Sequence, residues 1–246
     1  MATLLDAIAS YDDAVSLKIL SADTGLHPST AYRILSSLTD QDFVARNETG
    51  DYQLGQKLRE LGSRVNIGLD LRQEALPIMR MLNSEIDETV NLTIREGNQI
   101  VYIERVTPNR MMRVEQVIGS RAPLHVTAVG KLMLAQSGDQ AINDYAKQSD
   151  LAQYTKNTFT ELKTLKLELR KVLQQNYALD NEEAELGVGC IGALIYNAAG
   201  KVVAGLSVSA PIERRRDEWI AKVMAAAENI SARIGYQGDA YQTRNG

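Results

Sequence analysis

Cysteine is nearly absent from this chain: Cys190 is the only one in 246 residues. That excludes an internal disulfide framework and is compatible with a reducing, cytoplasmic setting. Histidine is almost as scarce, with only His27 and His125. A histidine-rich metal site is therefore excluded, and a mixed site from His125, Asp180 and Cys190 has no close ligand spacing behind it. No apolar run approaches the roughly 18–20 residues that a bilayer span requires, so no membrane partner is expected. The first residues lack the basic start and apolar core of a secretory signal. There is no internal repeat and no low-complexity tract. Excess positive charge is also missing: the formal net charge is -4, which does not advertise a nucleic-acid binder. Lys131 follows Gly130 but has no P-loop around it, and no nucleophile with a recognisable base is paired in the sequence. Neither a cofactor nor a metal is expected.

What is present begins at residues 16–54. Ser16 is a good N-cap for a helix over about Leu17 to Thr24. Gly25 sits where that helix must stop, and Pro28 suits the first position of the next. In the second helix Ala31, Ile34, Leu35 and Leu38 recur at i, i+3, i+4 and i+7, which makes one buried stripe. The opposite face carries Ser29, Thr30, Tyr32, Arg33, Ser36 and Ser37, donors suited to phosphates and base edges. Phe43–Arg46 and Tyr52–Leu54 flank a polar, glycine-containing loop, which predicts a hairpin. Arg46 on that hairpin is placed to reach a phosphate or the minor groove. The order is that of a winged helix-turn-helix. Residues 1–65 carry six Lys or Arg against nine Asp or Glu, but no acidic residue lies between Thr24 and Thr39. Weak non-specific binding and dependence on dimerisation follow as expectations.

Leu58, Leu61, Val65 and Leu69 then recur at helical spacing, as a linker helix with one apolar face that packs on its own domain or on a second subunit. A further helix carries Leu71, Ala75, Ile78, Met79, Leu82 and Ile86. Val90, Leu92 and Ile94 alternate with polar residues, the period of a strand. Strands are expected over Ile100–Val106 and Met111–Val117, and a hairpin over Ile191–Tyr196 and Val202–Val208. Helices are expected from about Thr127 to Gln136, around Leu162–Leu173, and around Trp219–Ile234. Hairpin strands with helices between them predict an α+β fold with a mostly antiparallel sheet.

Three segments point to one family. SADTGLHPSTAYRILSSL with GDYQLG, APLHVTAVGKLMLA (122–135) and YALDNEEAELGVGCIGALIYNAAGKVVAGLSVSAP (177–211) stand in order along nearly the whole chain. Together they resemble the IclR family of bacterial transcriptional regulators. The resemblance implies a winged helix-turn-helix, a linker helix and a GAF-like effector-binding domain, here 1–58, 59–75 and 76–246. It implies homodimers or dimers of dimers on operator DNA, and a small organic acid or aromatic catabolite as effector. Carried over by motif, Ala128 and Val129 meet the ligand through backbone N–H groups. Asp180, Val188, Cys190, Ser207 and Ser209 line the same pocket, and Met111, Val114 and Ala122 supply its apolar wall.

The chemistry of these residues agrees. A helix start built from small residues lets an anion approach its N–H groups. Ser207 and Ser209, two apart on a strand, share a face, and Val188 and Cys190 do the same if extended. Asp180 would repel a carboxylate, so it accepts from a ligand hydroxyl or anchors a loop. Small residues at Ala128, Gly189 and Gly192 leave room for more than a two- or three-carbon acid. His125, before a helix, is expected to cap or pack. The run Arg214–Arg216 reads as a solvated helix start. The expected function is an effector-controlled DNA-binding regulator, not an enzyme. The alternatives are a constitutive DNA-binding oligomer without a ligand, or an enzyme using Cys190 or His125.

Overall fold

The structure is a computed structural model that describes residues 2–11, 13–58, 60–61 and 71–238. The chain divides into two compact units, Met1–Leu69 and Asp70–Thr243.

The first unit is assembled from short elements with strong local signals. Helices α1 (Ala2–Ala9), α2 (Leu17–Thr24) and α3 (Pro28–Asp40) precede the hairpin β1 (Val44–Arg46) and β2 (Tyr52–Leu54). Ser16 caps α2 by accepting from the Ile19 N–H, and Gly25 ends it in the left-handed region at φ 67°. Pro28 opens α3 behind His27, whose ring nitrogen accepts from the Ser29 N–H. Ala31, Leu35 and Leu38 are buried, and Ile34 packs at the edge of the same core. Leu4 and Ile8 of α1 complete that core, and Val15 pairs with Tyr52 to tie the α1–α2 connection to the hairpin. Helix α1 is not anticipated by the sequence reading: at eight residues it depends on tertiary burial, not on propensity. The expected linker helix starts at Gln56. Its positions Val65 and Leu69 lie outside the described residues.

The second unit is built on a six-stranded antiparallel sheet. Helix α4 (Leu71–Ile86) leads into β3 (Thr89–Glu96), β4 (Gln99–Val106) and the short β5 (Arg121–Pro123). Then come α5 (Ala128–Ala135), α6 (Gly138–Ser149), α7 (Leu162–Gln175), β6 (Ala178–Asn181), β7 (Val188–Tyr196), β8 (Val202–Pro211) and α8 (Trp219–Arg233). The strand order is β5-β4-β3-β8-β7-β6. One face carries Val90, Leu92, Ile191, Ala193, Leu206 and Val208 and packs on α4 and α8 in an aliphatic core. The other face is covered by α5, α6 and α7.

One departure from the sequence reading concerns this sheet. Met111–Val117 is not a strand but part of the loop between β4 and β5, and the third strand is Arg121–Pro123. The backbone of that stretch is committed elsewhere: the Val114 carbonyl accepts from Thr89 Oγ1 and the Gln116 carbonyl from Arg105. Strand β3 adds a feature on which the sequence reading is silent. An alternating strand usually turns its polar side to water, yet Thr89, Asn91 and Thr93 are as buried as Val90 and Leu92. The sheet therefore has an inner polar face.

Candidate functional site

The inner polar face is set by strand register. In an antiparallel pair, directly opposed residues point the same way. Thr89 opposes Ser209, Ser209 opposes Cys190, and Cys190 opposes Asp180. One step along, Asn91 opposes Ser207, which opposes Gly192. The first row thus carries polar side chains across four strands, and the second sets Asn91 and Ser207 next to the bare Gly192. Within them, Asn91 Nδ2 donates to Ser209 Oγ at 3.2 Å, and Ser209 Oγ lies 3.1 Å from Cys190 Sγ.

The start of α5 sits over these rows. Thr127 is its N-cap, with Oγ1 accepting from the Gly130 N–H at 3.2 Å. Helix geometry leaves the N–H groups of Ala128 and Val129 without an intrahelical acceptor. A β-carbon on Gly192 would lie 3.0 Å from the Val129 nitrogen, which places that nitrogen against β7. An anion held there meets two donors and the positive end of a helix. Gly130 admits no side chain at all: a β-carbon would meet Thr127 Oγ1 at 2.3 Å and the Leu124 carbonyl at 2.4 Å.

Asp180 is buried at the end of the first row. It accepts from the Glu183 N–H at 2.7 Å, while Arg215 donates to its backbone carbonyl at 2.8 Å. Burial raises its carboxyl above the usual range, against the opposing pull of the Glu183 N–H and the Lys131 ammonium. Cys190 is also buried, and burial pushes its thiol well up, the opposite of what an attacking thiolate needs.

Of the predicted pocket residues, Ala128, Val129, Asp180, Cys190, Ser207 and Ser209 converge. Val188 is half-buried at the start of β7, and Ala122 is half-buried on β5 beside the core under α5. Met111 does not join them. Its side chain is fully exposed, because the loop it belongs to is held by its backbone and by arginines. Val114 is half-buried and touches this face through its carbonyl. The room expected beside the glycines is taken: Ile212 fills the place of a side chain at Gly189, and Val129 does so at Gly192. Two surface cavities, of about 480 and 310 Å³, contain none of the predicted residues.

The sequence reading missed Thr89, Asn91, Glu88 and Glu183. The signal for Asn91 was there, as polar residues alternating inside an apolar strand. Glu88 gave none. It is buried and holds Arg214 through both oxygens at 2.7 and 3.0 Å, and Arg110 at 3.2 Å. Arg214 also donates to the Met112 carbonyl at 3.0 Å. The expected solvated run is thus divided: Arg214 clamps the β4–β5 loop, Arg215 serves Asp180, and Arg216 stays exposed. His125 packs as expected, with Nδ1 2.6 Å from the Tyr145 hydroxyl and Nε2 3.1 Å from the Ala152 carbonyl. Burial lowers its pKa.

In the first unit, α3 presents Ser29, Tyr32, Arg33 and Ser36 to solvent, with Thr30 half-buried. Tyr32 is 50% exposed although it lies on a helix with a packed face. Arg46 folds back over its own wing, with Nε donating to the Gly50 carbonyl at 2.8 Å and the guanidinium 5.4 Å from the Tyr52 ring centre.

One unit is a helix-turn-helix with an exposed second helix and the other holds a buried polar cradle, a combination that fits the class of DNA-binding regulators. Comparison with known proteins gives the family. Residues 2–48 match the IclR helix-turn-helix domain, and residues 64–232 match the bacterial transcriptional regulator IclR C-terminal domain. The chain belongs to the IclR family of transcriptional regulators. It is 34% identical over 227 residues to the HTH-type transcriptional regulator KdgR of Escherichia coli, covering 90% of this chain and 86% of that one. Among solved structures, the repressor BlcR of Agobacterium tumefaciens superposes with a TM-score of 0.76 at 26% identity, over 96% of this chain and 95% of that one. An IclR homologue of Microbacterium hydrocarbonoxydans, complexed with 4-hydroxybenzoate, shares the fold with a TM-score of 0.64 at 23% identity, over 95% of this chain and 98% of that one. Among the described residues, no helix is long and apolar enough to cross a membrane.

Proposed function

We propose that the polar rows under α5 hold a small organic acid, and that this ligand controls operator binding by a homodimer or dimer of dimers. The observation that carries the reading is a buried polar face beneath a helix start whose first N–H groups have no intrahelical acceptor. The carboxylate meets Ala128 and Val129. Ser207, Ser209, Cys190 and Asp180 complete the cradle, with Val188, Val114 and Ala122 at its edge. Ser29, Thr30, Tyr32, Arg33 and Ser36 read operator DNA, and Arg46 supports the wing on the phosphate backbone.

The ligand acts only through its differential affinity for two arrangements of the subunits. Asp180, Cys190, Ser207 and Ser209 are buried, so entry requires the elements packed over them to yield. The Microbacterium homologue's aromatic hydroxy acid is consistent with this class of ligand.

The test combines a thermal-shift panel of small aliphatic and aromatic acids with mobility-shift assays on operator DNA. The expected result is one acid that both raises the melting temperature and changes DNA affinity. A constitutive oligomer is the second reading, favoured by the tight packing of Val129 over Gly192. It gains if DNA binds and no acid stabilises the protein.

A further inference from the structure

One polar atom in the cradle has no partner. The Asn91 side chain is wholly buried, and its Nδ2 donates to Ser209, but its Oδ1 accepts from nothing. A buried acceptor left unpaired is costly, and native structures retain few of them. Ser207 stands directly opposite but makes no hydrogen bond to it, and the other neighbouring donors are committed elsewhere. Across the strand on one side, Arg105 is spent on the Gln116 carbonyl and on Glu115 at 2.8 Å. On the same strand, the Thr89 hydroxyl is spent on the Val114 carbonyl and that of Thr93 on the Gly205 carbonyl.

We infer that Asn91 is a specificity determinant whose Oδ1 accepts a hydrogen bond from a hydroxyl of the ligand, so that the effector is a hydroxy acid. The inference rests on the effector reading above and narrows it. The geometry supports a two-point fit. Val129 lies over Gly192 on β7, and Asn91 stands two strands away in the same row, on β3. Two strand spacings are roughly 9–10 Å. A carboxylate on the Val129 N–H and a hydroxyl on Asn91 must therefore be carried on a skeleton longer than two carbons. Ser207, between them in the row, offers a further hydroxyl to such a ligand but cannot replace the carboxamide oxygen at its far end.

The experiment uses the full chain and two matched pairs of probes: 3-hydroxybutyrate with butyrate, and 4-hydroxybenzoate with benzoate. Calorimetric titration of the wild type is expected to show the hydroxylated member of at least one pair binding tighter by roughly five- to hundredfold, the range set by leaving a buried acceptor unpaired. Asn91→Ala is expected to abolish that preference. Asn91→Asp keeps an acceptor oxygen and is expected to retain the preference while weakening both members through like charge. Equal affinity within both pairs, or a preference unchanged in Asn91→Ala, overturns the inference and leaves effector binding intact. A preference lost in Asn91→Asp also overturns it, since the carboxamide nitrogen would then be the reading group. If none of these acids and none of a wider panel of small acids binds, the effector reading itself fails and this one with it.

Discussion

Lys131 Nζ lies 2.6 Å from the Glu183 carboxylate with both side chains buried, which fastens α5 to the loop between β6 and β7. Glu168 on α7 stands 3.6 Å from the same ammonium, and the Phe159 ring lies below it at 5.2 Å. Removing one partner of such a pair leaves a buried charge uncompensated. Lys131→Met is expected to destabilise the second unit by about 3–5 kcal/mol, measured by urea denaturation at pH 8. The double variant Lys131→Met/Glu183→Leu is expected to recover most of the loss. If the double variant is as unstable as the sum of the singles, the pair is not the fastening described.

The same carboxylate gives a pH dependence. Burial pushes Glu183 up to about 7 from an ordinary 4.5, against the attraction of Lys131 and with the help of Asp180. The folded chain therefore binds this proton more tightly than the unfolded chain does. The resulting stability is complete below about 4.5 and is lost as the pH rises through about 7. Unfolding free energy measured from pH 5 to 8 is expected to contain this falling component, and Glu183→Gln to flatten it. An identical slope in the variant refutes the assignment.

The contrast between these residues and the first unit explains what could be read from the sequence. Ser16, Gly25 and Pro28 act on helices beside them, so their meaning is local, and the structure puts each in its expected role. Lys131 and Glu183 are 52 residues apart, and nothing in either neighbourhood announces the other. The convergence of Asp180, Cys190, Ser207 and Ser209 was accessible only through resemblance to a family. Asn91 shows a third case. Its alternation identified the strand, but whether the polar side met water or a covering helix depended on α5, which is placed by tertiary packing. Met111 failed for the complementary reason: apolar character suggested a wall, while the arginine clamp on Glu88 decides where its loop runs.

Val129 and Gly192 provide a test of the helix start as the anion's seat. A β-carbon at Gly192 would lie 3.0 Å from both the Val129 nitrogen and its Cγ2, so the helix start must shift by a few tenths of an ångström. Gly192→Ala is expected to weaken acid binding about tenfold or more, since misplaced donors lose charge-assisted hydrogen bonds. Stability is expected to fall by only about 1–3 kcal/mol, as for modest overpacking. Titration calorimetry and thermal unfolding of the same sample separate the two. Undiminished affinity in a folded variant places the anion elsewhere.

Arg33 and Arg46 are expected to contribute differently to DNA binding. Arg33 is exposed on α3, with no acidic residue from Thr24 to Thr39 to compete for it. Arg46 is already engaged with Gly50 and Tyr52, so it can offer a phosphate only the part of its guanidinium not used in the wing. Arg33→Ala is expected to cost about 1–3 kcal/mol of operator affinity and to relax preference at one base position, as loss of a base contact does. Arg46→Ala is expected to weaken all sequences alike and to reduce the salt dependence by about 0.9 in logarithmic slope, the signature of one lost phosphate contact. Fluorescence anisotropy on operator and scrambled duplexes across a salt series distinguishes the two. If Arg33→Ala weakens operator and scrambled DNA equally, α3 is held on the backbone at that position and the base-reading role passes to Tyr32 and the serines.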